Sequence, residues 1–590
     1  MEKYYSKIKK PTDLKKLNSE DLEKLVRSLK DEIVEFTNNH GGHLGSQLGA
    51  VELTVSLFRN FDFKKDKVFF DINDQTDAYK ILTNQELTPL KHLLEFEDSI
   101  EYNHWTAGHT STALSGALGA AKARDINNKK HDVVAVVGDA SFWSGLNMEA
   151  FSNATALDTK IITILNDNNF SMEPIDGFWT QFSNTIGTPG SKHIRKDILD
   201  SGRFELVGPI DGNNIDELDK ALSYAKSVKK NKHILIWAKT VKGLYNDGKI
   251  IEWSHWVSKG HKENKNNIST DVREYKIPKN EPDNIPQLMS YQIDKLLSNS
   301  KYSNKIAVYT PSVIVSFPGF WNLMKKYPKN VWNTNINEEF SVTFGAGLSI
   351  NGVKPIFFVG STFAQRAYDQ FIHDVSRQNQ PMLVILGNTG LDTTISESHQ
   401  AMFDSAMFKQ MPNTEIYEPV NTNEFKDILQ YYVDEVKDKI IIIRLKSTLS
   451  NSEIKTNTFK KWEYIIKVKK PVANVITYGS VSKEFKKAIK EKNLDWNLIN
   501  ATSIKPLDSK MLNILSNSEI PLFTIEHEYR LNSLGAQIND YYNLNNINKI
   551  SKIIAMDNND FNRERTVESV LKFAKLRTSD IIERIQKLIN

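Results

Sequence analysis

The chain contains no cysteine. It therefore cannot form a disulfide, hold a metal through thiolates or use a cysteine nucleophile, and any metal must be bound by oxygen or imidazole groups. It also lacks a stretch that approaches the roughly 18 uncharged apolar residues of a membrane-spanning helix. The first residues, MEKYYSKIKKPTDLKK, have no apolar signal-peptide core. We expect a soluble, cytoplasmic protein without a membrane partner.

An excess of charge of one sign is absent as well. Lysine and arginine number 76 against 72 aspartates and glutamates, and the charges are dispersed along the chain. Proteins that bind nucleic acid usually carry a basic block, so we expect no nucleic-acid partner. At 590 residues the chain is too long for one hydrophobic core, which predicts several domains.

What the sequence does contain is a series of short apolar runs that end at turn residues. In the first half these runs span 133–137, 161–165 and 234–237, and segments with helical spacing at 146–156 and 215–228 lie between them. This order predicts an α/β fold with mostly parallel, doubly wound sheets. Ligands of such folds bind at the carboxyl ends of the strands.

Two further α/β blocks follow a polar stretch at 262–286 that has the composition of a linker. Strands are predicted in the second block at 306–309, 355–359, 382–386 and 440–443, and in the third block at 475–478 and 522–525. We therefore predict three domains, at 1–275, 288–455 and 465–590.

The most informative local motif follows two neighbouring strands. Gly-Asp-Ala at 138–140 comes directly after one strand and Asn-Asp-Asn at 166–168 after the next, so that Asn168 stands 29 positions beyond Asp139. A carboxylate, an amide oxygen and a backbone carbonyl are ligands that Mg²⁺ accepts. Asp139, Asn168 and the Phe170 carbonyl are the candidate metal ligands, although each motif alone is also an ordinary strand-end turn.

Further motifs occur in the order found in one enzyme family. They are HGGHLGSQLGAVELT at 40–54, AGHTST at 107–112, NEEFSVTFGAG at 337–347, STFAQRAYDQ at 361–370 and IKPLD at 504–508. Together with the Gly-Asp and Asn motif, which resembles the thiamine-diphosphate motif, they resemble the 1-deoxy-D-xylulose-5-phosphate synthase family of the transketolase superfamily. This resemblance spans nearly the whole chain.

The resemblance implies a transketolase-like fold with a diphosphate domain, a pyrimidine domain and a C-terminal domain. It also implies thiamine diphosphate and Mg²⁺ as cofactors, and a homodimer by analogy. Phe363 matches the aromatic residue that stacks on the pyrimidine ring in the family. The residues that match the cofactor site are Gly108, His109, Thr110, Gly138, Asp139, Ala140, Ser141, Asn168, Lys239, Glu338 and Phe363.

The same resemblance implies the catalytic residues. Glu338 matches the glutamate that bonds the pyrimidine ring and promotes proton transfer there, with Glu339 as the neighbouring alternative. His43 and His399 match histidines that relay protons to the substrate, and His255 gives a shorter match. The family reaction joins pyruvate, with loss of CO₂, to glyceraldehyde 3-phosphate, and its product serves isoprenoid biosynthesis.

Several positions depart from the family pattern. Asp74 stands where the family has a histidine near the cofactor diphosphate. The Asp74 carboxylate would repel the diphosphate unless the side chain turns away. Ile395 replaces an aspartate. The two arginines expected to grip the acceptor's phosphate align with Asn388 and Ser447, and Lys446 is the residue that could restore part of the charge.

Three functions therefore stay open at this point. The first is the synthase itself, and the second is a transketolase-like ketol or acyl transferase with a ketose or 2-oxo acid donor and an aldehyde acceptor that lacks the usual phosphate contact. The lost arginines favour the second function. The third is a paralogue that binds the cofactor without catalysis, and the retention of Glu338, Asp139, Asn168, His43 and His399 argues against it.

Overall fold

The computed structural model describes residues 3–85, 87, 104–105, 107–171, 204–228, 232–251, 276–312, 317–391, 397–446, 454–531, 533–557 and 566–589. The chain divides into two compact units, Met1–Asp271 and Val272–Asn590. The predictions for His255, Ile395 and Ser447, and for most of the linker, lie outside the described residues. Within those residues, no helix combines the length and the apolar character needed to cross a membrane.

The described residues of the first unit form a five-stranded sheet in the order β1-β2-β3-β5-β4, and all of its strands are parallel. The strands are β1 (Lys67–Phe70), β2 (Val133–Gly138), β3 (Ile161–Asp167), β4 (Phe204–Asp211) and β5 (His233–Lys239). The α-helices are α1 (Ser19–His40), α2 (Leu44–Gly49), α3 (Val51–Asn60), α4 (Asp77–Leu82), α5 (Ala113–Ile126), α6 (Asp139–Phe142), α7 (Gly145–Ala156) and α8 (Ile215–Ser227). Short 3-10 helices occur at Tyr4–Lys7, Pro11–Lys16, Asn73–Gln75 and Asn246–Gly248.

Strand β2 shows why this sheet forms from continuous apolar runs. Val134 and Val136 belong to a core that also contains residues of α1, α3 and α8. Val133, Ala135 and Val137 point to the opposite face, where residues of α5 and α7 form a second core. Because both faces are buried, every position of the strand must be apolar, and the predicted doubly wound sheet is confirmed.

In the second unit, the residues that the structure describes form two sheets. Its strands are β6 (Ile306–Thr310), β7 (Val331–Asn333), β8 (Lys354–Gly360), β9 (Met382–Gly387), β10 (Thr414–Tyr417), β11 (Ile440–Arg444), β12 (Glu463–Ile466), β13 (Ala473–Thr477), β14 (Trp496–Asn500), β15 (Ser503–Lys505), β16 (Leu522–Tyr529) and β17 (Ser551–Met556). The seven-stranded sheet has the order β15-β10-β11-β9-β8-β6-β7, and the five-stranded sheet has the order β12-β14-β13-β16-β17. Strands β15 and β12 are antiparallel to their neighbours, and the other pairs are parallel.

Helices cover these two sheets as well. They are α9 (Ile285–Ser298), α10 (Phe320–Lys326), α11 (Glu338–Ile350), α12 (Tyr368–Gln370), α13 (Asp404–Lys409), α14 (Thr422–Asp434), α15 (Gly479–Glu491), α16 (Ser509–Ser516), α17 (Leu534–Leu544), α18 (Val567–Phe573) and α19 (Thr578–Ile589). Other helical turns lie at Phe363–Ala367, Phe371–Ser376 and Glu397–His399. One hydrophobic core contains Val384 of the seven-stranded sheet and both Ile476 and Ile499 of the five-stranded sheet, so the two sheets share buried surface.

Candidate active site

The two strand-end motifs of the first unit meet as predicted. Asp139 begins α6 directly after β2, and Asn168 begins the loop after the neighbouring strand β3. The Asn168 N–H donates to the Asp139 carboxylate (3.0 Å), and the Ala140 N–H donates to its other oxygen (2.8 Å). The Asn168 side-chain oxygen accepts from the Phe170 N–H (3.1 Å). Three predicted ligand residues are therefore adjacent at one strand edge.

The alanine that replaces a family glycine at 140 causes no strain. Ala140 lies inside the short helix α6 and is absent from the residues with positive φ, so its backbone does not require glycine. The neighbouring Ser141 carbonyl accepts from the Asn147 amide (2.9 Å) and from the Ser111 hydroxyl (3.5 Å). This second contact ties the motif to the loop that precedes α5.

Asp139 is a buried carboxyl group in an acidic environment. Burial, together with the nearby Asp167 carboxylate, raises the pKa of Asp139 to about 7. Asp167 itself pairs with the Lys239 ammonium (2.7 Å) and accepts from the Trp237 ring N–H (2.7 Å). In the part of the chain that the structure describes, no cationic side chain lies within 4.0 Å of Asp139. This carboxylate is therefore placed to take a metal cation.

The predicted loop of Gly108, His109 and Thr110 is held by a residue that sequence reasoning missed. The buried Asp71 carboxylate, just beyond β1, accepts the Ser111 N–H (2.8 Å) and the Ala113 N–H (3.0 Å). Asp71 thereby fixes the loop at the start of α5. Its position after an apolar strand was the available sequence signal.

The His43 imidazole and the Asp74 carboxylate form a close pair in the first unit. His43 lies in the loop between α1 and α2, where Gly41 and Gly42 have φ values of 87° and 142° that favour glycine. Its Nε2 atom is 3.4 Å from the Asp74 carboxylate. The ammonium of the half-buried Lys242 donates to the Ser171 carbonyl, and the Asp74 and Asp139 charges act on it. The Asp74 carboxylate therefore has an imidazole nitrogen beside it and the Lys242 charge nearby, which offsets part of the repulsion expected from its charge.

This pairing predicts a coupled effect on cofactor affinity. Because His43 contacts the Asp74 carboxylate, His43→Asn should weaken thiamine diphosphate binding more when Asp74 is present than in the Asp74→Asn background. We expect a coupling of about 1 kcal/mol, near the upper end for a pair of this exposure. Calorimetric titration of the cofactor into the four proteins of the double-mutant cycle measures it. Strictly additive effects would contradict the pairing.

Glu338 is the first residue of α11, and it is 3 % exposed. Glu339 is half-buried, so the structure favours Glu338 as the shielded carboxyl group of the two. Burial raises the pKa of Glu338 to about 7, and the Arg366 guanidinium, 3.9 Å away, opposes this rise. One carboxylate oxygen of Glu338 is buried and makes no hydrogen bond among the described residues.

Phe363 and His399 lie together in the second unit. Their ring centres are 5.5 Å apart in an edge-on arrangement, and the Ser398 hydroxyl is 3.0 Å from the His399 Nδ1 atom. Phe363 begins the helical turn that carries Arg366, the neighbour of Glu338. A Cβ on Gly360 would approach the Phe363 ring to 2.7 Å, so a glycine is needed beside this ring.

The residues fit the cofactor that the motifs imply. Within the described ranges, no group of three or more histidine, aspartate or glutamate side chains is placed to hold a metal, so a cation would depend on Asp139 together with amide, carbonyl and ligand oxygens. The unbonded oxygen of Glu338 has the chemistry to contact a ring nitrogen of the pyrimidine. The buried Asp139 carboxyl group suits a cation bound to a diphosphate, and the buried Glu338 carboxyl group suits an aminopyrimidine.

Two family models match the chain. Residues 5–200 match the model described as 1-deoxy-D-xylulose-5-phosphate synthase, and residues 297–451 match the pyrimidine binding domain of transketolase. The parallel α/β fold and these matches define a thiamine-diphosphate-dependent transferase, which is an enzyme.

Named relatives cover the full length. The 1-deoxy-D-xylulose-5-phosphate synthase of Clostridium perfringens (strain SM101) is 31% identical over 640 aligned residues, which cover 100% of this chain and 98% of that protein. The synthase of Clostridium tetani is 29% identical, with 98% of each chain covered. The chain belongs to the 1-deoxy-D-xylulose-5-phosphate synthase family, and these matches favour the synthase over the two alternative functions.

Solved transketolases are also similar, at a lower level. The enzyme from Campylobacter jejuni is 15% identical, covers 97% of this chain and 100% of its own, and has a TM-score of 0.43. That from Leishmania mexicana is 14% identical, covers 97% of each chain and has a TM-score of 0.43. The fold is established by the sheets described above.

Proposed function

We propose that the protein converts pyruvate and glyceraldehyde 3-phosphate to 1-deoxy-D-xylulose 5-phosphate and CO₂. The observation that carries this proposal is the buried Glu338, whose unbonded carboxylate oxygen and raised pKa suit proton transfer with a bound aminopyrimidine. The full-length relatives with this name support the choice of substrates.

In the proposed site, Asp139, Asn168 and the Phe170 carbonyl bind Mg²⁺. The loop of Gly108, His109 and Thr110 and the residues Gly138, Ala140, Ser141 and Lys239 surround the cofactor diphosphate. Asp71 supports this role because it fixes the loop before α5. Thiamine diphosphate supplies the carbon centre at which the donor is activated.

The other residues handle protons and orientation. Glu338 would hold or release a proton beside the pyrimidine ring, since a carboxyl group with a pKa of about 7 can do either near neutral pH. Phe363 stacks on that ring. His43 and His399 move protons at the substrate oxygens, and the Asp74 carboxylate orients the His43 ring.

Loss of the metal ligand predicts a change in Mg²⁺ requirement. Asp139→Ala removes the buried carboxylate. Even a residue that only contacts a metal ligand typically contributes 10- to 100-fold to metal affinity. At least about tenfold more Mg²⁺ should therefore be needed for half-maximal activity. Activity measured across a Mg²⁺ titration tests this, with Asp158→Ala in an exposed turn as the control. An unchanged Mg²⁺ requirement would remove Asp139 from the ligand set.

A product assay tests the proposed function directly. The purified protein is incubated with thiamine diphosphate, Mg²⁺, pyruvate and glyceraldehyde 3-phosphate, and the products are identified by mass spectrometry with Glu338→Ala as control. Deoxyxylulose phosphate that disappears in the variant supports the synthase. Absence of product from a protein that binds the cofactor contradicts it.

A second candidate is a transketolase-like transfer to another aldehyde, which the Asn388 and Ser447 replacements favour. Ketose donors and unphosphorylated aldehydes in the same assay distinguish it. The three-domain division, the homodimer and the cytoplasmic location stay predictions. Gel filtration with light scattering tests the homodimer.

A further inference from the structure

A cavity of about 420 Å³ lies at the amino end of strands β1 and β2, beside α5. Lys67 begins β1 and His131 lies just before β2, whereas Asp139 follows the carboxyl end of β2. A strand rises about 3.3 Å per residue, so β2 separates this cavity from Asp139 by roughly 20 Å. We call it the basic cavity, and its polar lining residues are Lys67, His104, Arg124, Asn127, Lys129 and His131.

The charged side chains that line the basic cavity are all positive. They belong to Lys67, Arg124 and Lys129, and none of the lining residues is acidic. Arg124 is already bound, because it pairs with Asp125 (2.8 Å) just outside the lining. Within the described part of the chain, neither lysine takes part in an ion pair. The cavity therefore has an excess of positive charge.

The three cations act on one small volume. Burial lowers the pKa of His131, and the Arg124, Lys67 and Lys129 charges lower it further. The Asp66 carboxylate opposes this effect, but it already accepts two backbone N–H groups (2.9 Å each). A cleft lined by charge of one sign attracts ligands of the opposite sign. An anion is therefore the ligand that this lining favours.

Lys67 gains no acceptor from its nearest polar neighbour. Its ammonium lies 3.3 Å from the Nε2 atom of His104, whose Nδ1 atom accepts the Val68 N–H (3.2 Å). Burial, together with the Lys67 charge, lowers the pKa of His104 to about 4, so the ring is neutral and carries its proton on Nε2. Nε2 cannot then accept from the ammonium. Among the described residues, Lys67 keeps its donors available for a ligand.

The other lining residues suit a ligand that is partly apolar. Phe69 lines the cavity together with Ala120 and Ala123 of α5. The Asn127 side chain makes no hydrogen bond within the residues described and adds an uncharged donor. A volume of about 420 Å³ falls inside the range of about 300 to 1,000 Å³ that small-molecule sites span.

We propose that the basic cavity binds a small organic phosphate, with Lys67 and Lys129 donating to the phosphate oxygens and Phe69 contacting the organic part. Lysine binds phosphate as a point charge, and two ammonium groups can share the oxygens of one phosphate. The inference goes beyond the proposed synthase function and does not depend on it, because none of the lining residues belongs to the proposed active site.

Calorimetric titration with phenyl phosphate tests the proposal. The intact protein is first saturated with thiamine diphosphate and Mg²⁺, so that the cofactor site is occupied. Phenyl phosphate should bind more tightly than inorganic phosphate, because only the former also covers apolar surface, and phenol is the uncharged blank.

Variants of the two lysines assign the binding to this cavity. Lys67→Gln should weaken phenyl phosphate binding at least about tenfold, because a hydrogen bond to a charged group is lost. Lys129→Gln, at a more exposed position, should weaken it about threefold. Lys67→Arg keeps the charge and should retain most of the affinity. Lys130→Gln is the matched control, since it removes the neighbouring exposed lysine that does not line the cavity.

Melting curves separate a binding defect from a folding defect. Phenyl phosphate should raise the melting temperature of the parent protein but not that of Lys67→Gln, since a ligand stabilises the state that binds it. Unchanged binding in Lys67→Gln overturns the proposal, and so does equal weakening by Lys129→Gln and Lys130→Gln. Equal affinities for phenyl phosphate and inorganic phosphate would overturn the choice of an organic ligand. Neither measurement requires turnover, so both remain decisive even if no deoxyxylulose phosphate forms and the proposed function fails.

Discussion

Glu338→Gln should lower kcat about 10²- to 10⁴-fold, the range that a positioned acid–base group contributes. The amide keeps the shape of the side chain but cannot exchange a proton, so thiamine diphosphate should still bind. Steady-state product formation gives kcat, and calorimetry gives the cofactor affinity. Glu339→Gln is the matched control at the neighbouring, less buried position and should change kcat less than about threefold.

Unfolding of the Glu338→Gln variant would not explain the expected fall in kcat. Burial raises the pKa of Glu338 from its ordinary value of 4.5 to about 7, so the folded state binds more protons than the unfolded state between these values. The contribution of this group to stability is therefore lost as the pH rises through 7. At pH 8 the glutamine avoids burying a charge, and the variant should be no less stable than the parent. Full activity in Glu338→Gln, or an equal loss in Glu339→Gln, contradicts the assignment.

The central strands could be predicted from the sequence because burial on both faces leaves a clear pattern. All the predicted apolar runs, such as 133–137 and 440–443, are strands of the structure. Strand β4 was missed because it contains Gly208 and Pro209 and has an irregular register between Val207 and Ile210. Its composition is that of a loop.

Strand pairing across the predicted domain boundaries could not be predicted from the sequence either. Strand β15 has three residues, lies in sequence between β14 and β16 of the five-stranded sheet and yet pairs with β10 of the seven-stranded sheet. So short a segment has no periodicity of its own, and its place depends on tertiary contacts. A domain boundary predicted from composition cannot show that a short segment beyond it pairs with a strand of the preceding domain.

The candidate site also contains contacts that could be predicted from the sequence and contacts that could not. Asp139 and Asn168 could be placed together because their motifs end adjacent parallel strands, and the hydrogen bond between them agrees with this. The pairing of His43 with Asp74 joins two separate segments, and no local pattern in the sequence indicates it. Asp71 was missed because its role depends on two backbone N–H groups 40 and 42 positions away.

The second large effect concerns a buried ion network around Arg444. Its guanidinium is 1 % exposed and contacts the carboxylates of Asp404 (3.0 Å), Glu418 (2.7 Å) and Glu528 (2.5 Å). Burial raises the pKa of Glu418, and the Arg444 charge opposes that rise. Glu528 belongs to β16, so this single cation connects the five-stranded sheet with the end of the seven-stranded sheet.

Arg444→Met should destabilise the protein by about 3 to 5 kcal/mol, because it leaves three buried carboxyl groups without their cation. The melting temperature should then fall by about 5 to 15 °C. Arg577→Met is the matched control, since Arg577 pairs with Asp580 (2.9 Å) at the surface and such pairs contribute less than about 1 kcal/mol. Arg444→Lys keeps the charge but cannot reach all three acceptors, so it should melt between the two.

Equal melting of Arg444→Met and Arg577→Met would mean that the carboxyl groups become protonated at little cost. A fall that grows as the pH rises from 6 to 8 would instead show that they are ionised in the folded protein, since more of the uncompensated charge is then present.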